Sequence, residues 1–162
     1  QQDFRTRGKR TDEMLEIMRL LWTGKMVEYH GQFYQFERLE MNPAPTARIP
    51  IWIGGISDPA MRRAARLADG WVTDLQPSSE IIDSIARIQQ WRRDCGREGE
   101  PFEVMATPND AWDADGYKRL EDAGVTHILT MPWAFYHGET GDVNLKIDGV
   151  KRYADEVIAS LS

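Results

Sequence analysis

Two hydrophobic rhythms divide the chain at about residue 49. Before it, Met14, Leu15, Ile17, Met18, Leu21 and Trp22 fall at helical spacing. Thr11 and Asp12 stand ahead of them as capping residues, and Gly24 ends the run. Val27 to Glu40 reads as a hairpin-like stretch, with Tyr29, Phe33, Tyr34 and Phe36 around His30-Gly31. Met41-Asn42-Pro43-Ala44-Pro45 is an extended, helix-hostile connection.

From Ile49 onward, short apolar runs alternate with longer helical ones. Ile49 to Ile53 predicts a buried strand that ends at Gly54-Gly55. Asp58-Pro59 opens a helix with Met61, Ala64, Ala65 and Ala68 on its apolar face. Trp71 to Thr73 is the next strand. Ser78 or Ser79 caps a long helix that turns Ile81, Ile82, Ile85, Ile88 and Trp91 inward and stops at Gly96. Phe102 to Ala106 is a third strand, followed by a helix from about Asp113 to Ala123. Thr126 to Thr130 is a fourth, followed by a loop through Pro132, Trp133, Tyr136 and Gly138. A last helix spans about Leu145 to Leu161, with Ile147, Val150, Ala154, Val157 and Ile158 in one stripe. Four strands each followed by a helix imply parallel βαβ units. Either a small doubly wound sheet or part of a (β/α)₈ barrel fits; a whole barrel takes roughly 250 residues.

Composition narrows the function classes. The chain has 162 residues and a formal net charge of -6. An acidic surface is unsuited to general nucleic-acid binding, which needs a Lys/Arg surplus. No apolar run is long enough to predict a transmembrane helix. The single cysteine, Cys95, excludes an internal disulfide and any multi-cysteine metal site. These features together lead to an expected cytoplasmic location.

In parallel α/β folds, ligands sit at the carboxyl ends of the strands. The Gly54-Gly55-Ile56-Ser57 turn offers backbone N–H groups, a hydroxyl and the N-terminus of the following helix. It reads equally as a phosphate cradle or as a tight strand-to-helix turn capped by Ser57 or Asp58. Thr73-Asp74 follows the second strand, and Asp74 fits a turn cap better than a base. Thr107-Pro108-Asn109 follows the third, and Met131-Pro132-Trp133 the fourth. Arg5, Arg7, Lys9 and Arg10 form a basic stretch that suits either a solvated helix entry or contact with a polyanion. His30, His127 and His137 have no metal-ligand spacing, and His137 reads as a solvated loop residue. No Gly-x-Ser-x-Gly elbow occurs. No side chain stands out as a nucleophile, as in proteins whose cofactor carries the chemistry.

Several blocks together resemble the luciferase-like monooxygenase superfamily. They are Arg7-Gly8-Lys9-Arg10-Thr11-Asp12-Glu13, Leu20-Leu21-Trp22-Thr23-Gly24 and His30-Gly31-Gln32-Phe33-Tyr34, then Pro43-Ala44-Pro45, Ile49-Pro50-Ile51-Trp52-Ile53-Gly54-Gly55 and Ala68-Asp69-Gly70-Trp71. The resemblance is clearest over residues 7 to 74. It implies a (β/α)₈ barrel about twice this length, so that 49–162 would supply strands five to eight and 1–48 a helix and extended segment leading into them. It also implies hydride transfer or oxygenation of a small organic substrate. The cofactor would be the deazaflavin coenzyme F-420 (F420), with FMN as the alternative. The coenzyme phosphate would be held by Gly54, Gly55 and Ile56, with Ser57 as a side-chain donor; Thr73, Asp74, Thr107 and Trp133 would lie on the substrate side. Without the first four strands, the expected state is a dimer of halves or a pairing with a complementing half-barrel. The competing expectation is a non-catalytic assembly module that keeps only the phosphate cradle.

Overall fold

A computed structural model describes residues 3–161. After a short 3-10 turn at Phe4–Thr6, the first helix, α1, runs Arg7–Leu21, and an antiparallel hairpin pairs β1 (Val27–His30) with β2 (Gln35–Leu39). Helix α1 starts a full turn before the capping pair expected from sequence. The Thr11 hydroxyl donates to the Arg7 carbonyl at 2.9 Å, inside the helix. Asp12 is spent on Arg63 and Arg66, more than 50 positions away, so neither residue is a cap. The hairpin leans on α1 through Glu13, whose carboxylate accepts from the N–H groups of Gln32, Phe33 and Tyr34.

The remaining elements form a repeating β–α series. Strand β3 is Trp52–Gly54, followed by α2 (Asp58–Leu67), β4 (Gly70–Gln76), α3 (Ser78–Asp94), β5 (Glu103–Pro108), α4 (Ala114–Asp122) and β6 (His127–Ile128). All four strands are parallel, and their spatial order is β3-β4-β5-β6. This unbroken order settles the choice between architectures. A doubly wound sheet reverses direction at a switch point; an arc of a barrel does not.

The helices cover one side of the sheet. Met61, Ala64 and Ala65 of α2, Ile81, Ile85 and Ile88 of α3, and Tyr117 and Leu120 of α4 form one core with Trp71, Val104 and Ala106. Burial alternates along β5, as expected of a strand with one face packed. Trp52 and His127, whose rings approach edge-on at 5.1 Å, occupy the other face. Asp69 ties the sheet to α1. It accepts from the Ile51 N–H at 2.8 Å and from Arg19 at 3.2 Å, and it pairs with Arg48.

Three further expectations need correction. Ile49 is exposed and lies outside β3; the extended strand begins only at Trp52, where pairing with Gly70 starts. Ile82 faces solvent, because a helix lying on a sheet buries one stripe and Ile82 sits just off it. The segment after β6 is a helix, α5 (Pro132–His137), with Pro132 at its start, where a missing N–H costs nothing. His137 is correspondingly no loose loop residue: its Nε2 is 2.7 Å from the Asp148 carboxylate.

The last helix, α6, runs Val143–Glu156, and a 3-10 turn follows at Ile158–Ser160. Of the expected stripe, Val157 is buried and Ala154 half-buried, whereas Ile147, Val150 and Ile158 are about half exposed; Tyr153, outside the stripe, is buried as well. Gly149 lets α5 approach, since a Cβ there would lie 2.4 Å from the Trp133 Cα. Gly149→Ala is therefore expected to push α5 outward. It should cost about 1–2 kcal/mol by overpacking, read as a lower denaturant midpoint; an unchanged midpoint would mean α5 floats freely.

Candidate functional site

The Gly54–Ser57 turn is built by its neighbours in the sheet. Gly54 ends β3 opposite Val72 of β4. Gly55 then takes φ +117°, a conformation open to glycine and strained for other residues, and a Cβ on it would meet the Ala60 Cβ at 3.1 Å. Its N–H donates to the Val72 carbonyl at 3.3 Å, and its carbonyl accepts from the Trp71 indole at 2.8 Å. Ser57 is the N-cap of α2 by backbone position, with its carbonyl accepting from Ala60 and Met61, but its hydroxyl caps nothing. Among the described residues, no acceptor meets the N–H groups of Ile56, Ser57 or Asp58. Three consecutive free donors at a helix N-terminus form a ready anion site.

A cavity of about 740 Å³ lies beside this turn, bounded by Gly54, Ser57, Pro59 and Ala60 on one side and by Arg5, Arg7, Gly8 and Thr11 on the other. Two helix N-terminal ends, those of α1 and α2, thus border it. Arg63 also lines it but is paired with Asp12. The Arg7 guanidinium lies over the Phe4 ring, 3.9 Å from its centroid. No carboxylate lines the cavity. Arg5, Arg7 and two helix N-termini thus give the cavity a cationic border, although the formal net charge of the chain is -6. These features suit an anionic group better than a cationic one.

Of the basic N-terminal stretch, Arg5 and Arg7 reach the cavity. Lys9 does not line it, and Arg10 turns to the Tyr34 hydroxyl at 3.3 Å. The sequence alone did not single out Trp71 or Arg63 as neighbours of the turn, because both are brought there by pairing and packing.

The other strand-end residues lie apart from the cavity. Thr73 is buried, and its hydroxyl accepts from the Thr107 N–H at 3.0 Å across a shift in the β4–β5 register. Asp74 is exposed at the strand end and accepts from the Leu75 N–H at 2.8 Å, a turn-like contact. Thr107 is half-buried. Trp133 sits on α5 against α6, with the Lys146 ammonium 5.4 Å from its ring centroid. Thr73, Asp74 and Thr107 share one end of the sheet, and Trp133 is not packed with them. Among the described residues, no group of three His, Cys, Asp or Glu side chains is placed to hold a metal ion. No described helix is long and apolar enough to cross a membrane.

The family model for luciferase-like monooxygenases matches residues 1–155. An uncharacterized protein of Mycobacterium tuberculosis is 42% identical over 161 residues; the match takes in 98% of this chain and 55% of that protein. An F420-dependent glucose-6-phosphate dehydrogenase of Nakamurella multipartita is 25% identical over 127 residues, with 77% of this chain and 38% of the relative covered. The chain thus spans about half the length, or less, of these relatives. Among solved structures, an F420-dependent secondary alcohol dehydrogenase superposes with a TM-score of 0.72 at 16% identity, covering 100% of this chain and 64% of its own. The F420-dependent tetrahydromethanopterin reductase of Methanopyrus kandleri gives 0.74 at 13% identity, covering 96% and 64%.

Proposed function

Because the chain belongs to the luciferase-like monooxygenase family, we propose that it forms the phosphate-binding half of a (β/α)₈-barrel oxidoreductase using F420. The observation that carries this reading is the run of N–H groups at Ile56, Ser57 and Asp58 with no acceptor among the described residues, next to a cavity that Gly54 and Ser57 border together with Arg5 and Arg7. In it, Gly54, Gly55, Ile56 and Ser57 hold the coenzyme phosphate. Gly55 lets the backbone come close, the amides donate, and Ser57 offers the hydroxyl that its own helix leaves unused. The coenzyme supplies hydride chemistry when bound. The chain's share would be to hold one end of the coenzyme, with exposed Asp74 and half-buried Thr107 on the substrate side and buried Thr73 bracing the Thr107 N–H.

F420 is preferred over FMN because F420-dependent enzymes recur among the relatives and the structural neighbours. FMN is kept as the alternative, since the similar proteins also include one described as a monooxygenase without mention of F420, a pyrimidine monooxygenase of Allorhizobium ampelinum, 25% identical over 122 residues. The setting proposed is cytoplasmic.

The same reading gives this half a partner. Strands β3 and β6 end the sheet, and an 850 Å³ apolar groove bordered by Val125, Ile128, Val150 and Ile158 runs beside β6. The Trp52 indole N–H is buried without an acceptor among the described residues. We propose that a complementing half-barrel, or a second copy of the chain, covers these features. Native mass spectrometry should then find a species heavier than 18.6 kDa; a well-folded monomer at high concentration would remove the second-copy form.

The cofactor assignment is tested by titrating F420 and FMN against the chain, alone and joined to the N-terminal part of the 42%-identical relative, with fluorescence as the readout. Tighter binding of F420 is the expected result. Binding of neither ligand in either form ends the assignment.

A further inference from the structure

Trp71 is fully buried on the helix-covered face of the sheet, yet its indole N–H leaves the core to donate to the Gly55 carbonyl at 2.8 Å. The Gly55 N–H donates to Val72, the next residue of the same strand, at 3.3 Å. Both peptide groups that flank Gly55 are therefore fastened to β4, one through a main-chain bond and one through a side chain. The Gly55–Ile56 peptide is trans, and a trans peptide points its C=O and N–H in opposite directions. Holding the carbonyl against the buried indole thus turns the Ile56 N–H away from the core, to where no described residue accepts it. Without that anchor, a peptide next to glycine rotates at little cost.

We infer that Trp71 is a positioning residue for the anion site: its indole N–H sets the orientation in which the Ile56 N–H is presented to a phosphate oxygen. The inference rests on the reading of Gly54–Ser57 as a phosphate cradle and adds to it a residue that never touches the ligand. A phenylalanine would fill most of the same space and supply no donor. Position 71 then controls affinity through one hydrogen bond and not through ring volume alone.

The test is a titration with inorganic phosphate, followed through the ¹H–¹⁵N amide signals of Ile56 and Ser57, in wild type, Trp71→Phe and Val104→Ala. Val104 is buried in the same core as the cross-strand neighbour of Trp71, and its N–H donates to the Thr126 hydroxyl and not to the turn, so its truncation loosens the packing around the indole without removing the donor. Trp71→Phe should raise the phosphate Kd about three- to tenfold, the scale of one hydrogen bond, while Val104→Ala leaves it unchanged. Equal Kd values for wild type and Trp71→Phe would overturn the inference and leave the cradle standing. Equal weakening by both variants would also overturn it, as a general effect of core damage. If the wild-type amides ignore phosphate, the cradle reading itself fails and the inference with it. Should Trp71→Phe not fold, the wild-type indole signal decides. Phosphate on Ile56 polarises the shared peptide and should shift the Trp71 indole N–H; a stationary indole beside a moving Ile56 overturns the proposal.

Discussion

Asp69→Ala should lower the stability of the protein by about 3 kcal/mol, at the lower end for a broken buried ion pair, with a fall in Tm of roughly 10 °C for a chain of this size. The carboxylate is nearly buried and serves three partners: the Ile51 N–H, Arg19 of α1 and Arg48 of the segment entering β3. Arg48 is largely exposed, so solvent screens its share, and most of the loss comes from Arg19 and the orphaned Ile51 N–H. Asp69→Asn keeps an oxygen for Ile51 and should cost about half as much. The pH dependence gives a second check. Burial by itself raises the Asp69 pKa, but the Ile51 N–H, Arg48 and Arg19 outweigh it and hold the carboxyl below its ordinary 3.8. A depressed carboxyl contributes stability that is complete above the unfolded value and is lost as pH falls through the folded one. The gap between wild type and Asp69→Asn should therefore be constant near neutrality and close only below about pH 4. A gap already closing at pH 6 would assign the stabilisation to another group.

Gly55→Ala is expected to be the most damaging small change at the candidate site. At φ +117°, a side chain costs about 1–3 kcal/mol of strain. The new methyl would also press on the Ala60 Cβ at 3.1 Å, in the first turn of α2. Relief by backbone rotation would break the bonds to Val72 and Trp71 and turn the free amides out of line. Phosphate affinity should fall by at least about tenfold, more than a single lost hydrogen bond gives. Isothermal titration at a temperature where the variant is fully folded separates this loss from the stability change. Unaltered affinity with lowered Tm would make Gly55 a turn residue only.

How far the sequence revealed this molecule depends on the range of the interaction involved. The β–α alternation was legible because each unit carries its own signals: an apolar run, a stop at glycine, and a capped helix with alanines or isoleucines on one face. The turn at Gly54-Gly55 was legible for the same reason, although residue types alone left it balanced between a cradle and an ordinary turn. The start of α1 was not legible, since Asp12 looks like a cap until Arg63 and Arg66 are folded against it. Helix α5 was hidden by its length, as six residues give no period to read. The stripe on the last helix was legible as apolar but its cover was not, because a pattern shows which side seeks cover and not what provides it. Trp71 was visible as part of a familiar block, but its tie to Gly55 exists only once β3 lies beside β4.

The unbroken strand order also bears on how the chain reaches this state. Every strand pairs only with the one before it and the one after it in sequence. Sheet contacts therefore close over a few tens of residues, and no strand waits for a distant segment to arrive. Short loop closures favour fast assembly. Synthesis releases the amino end first, so each β–α unit can settle on its predecessor as it leaves the ribosome, with β6 and the last helices docking onto a platform already made.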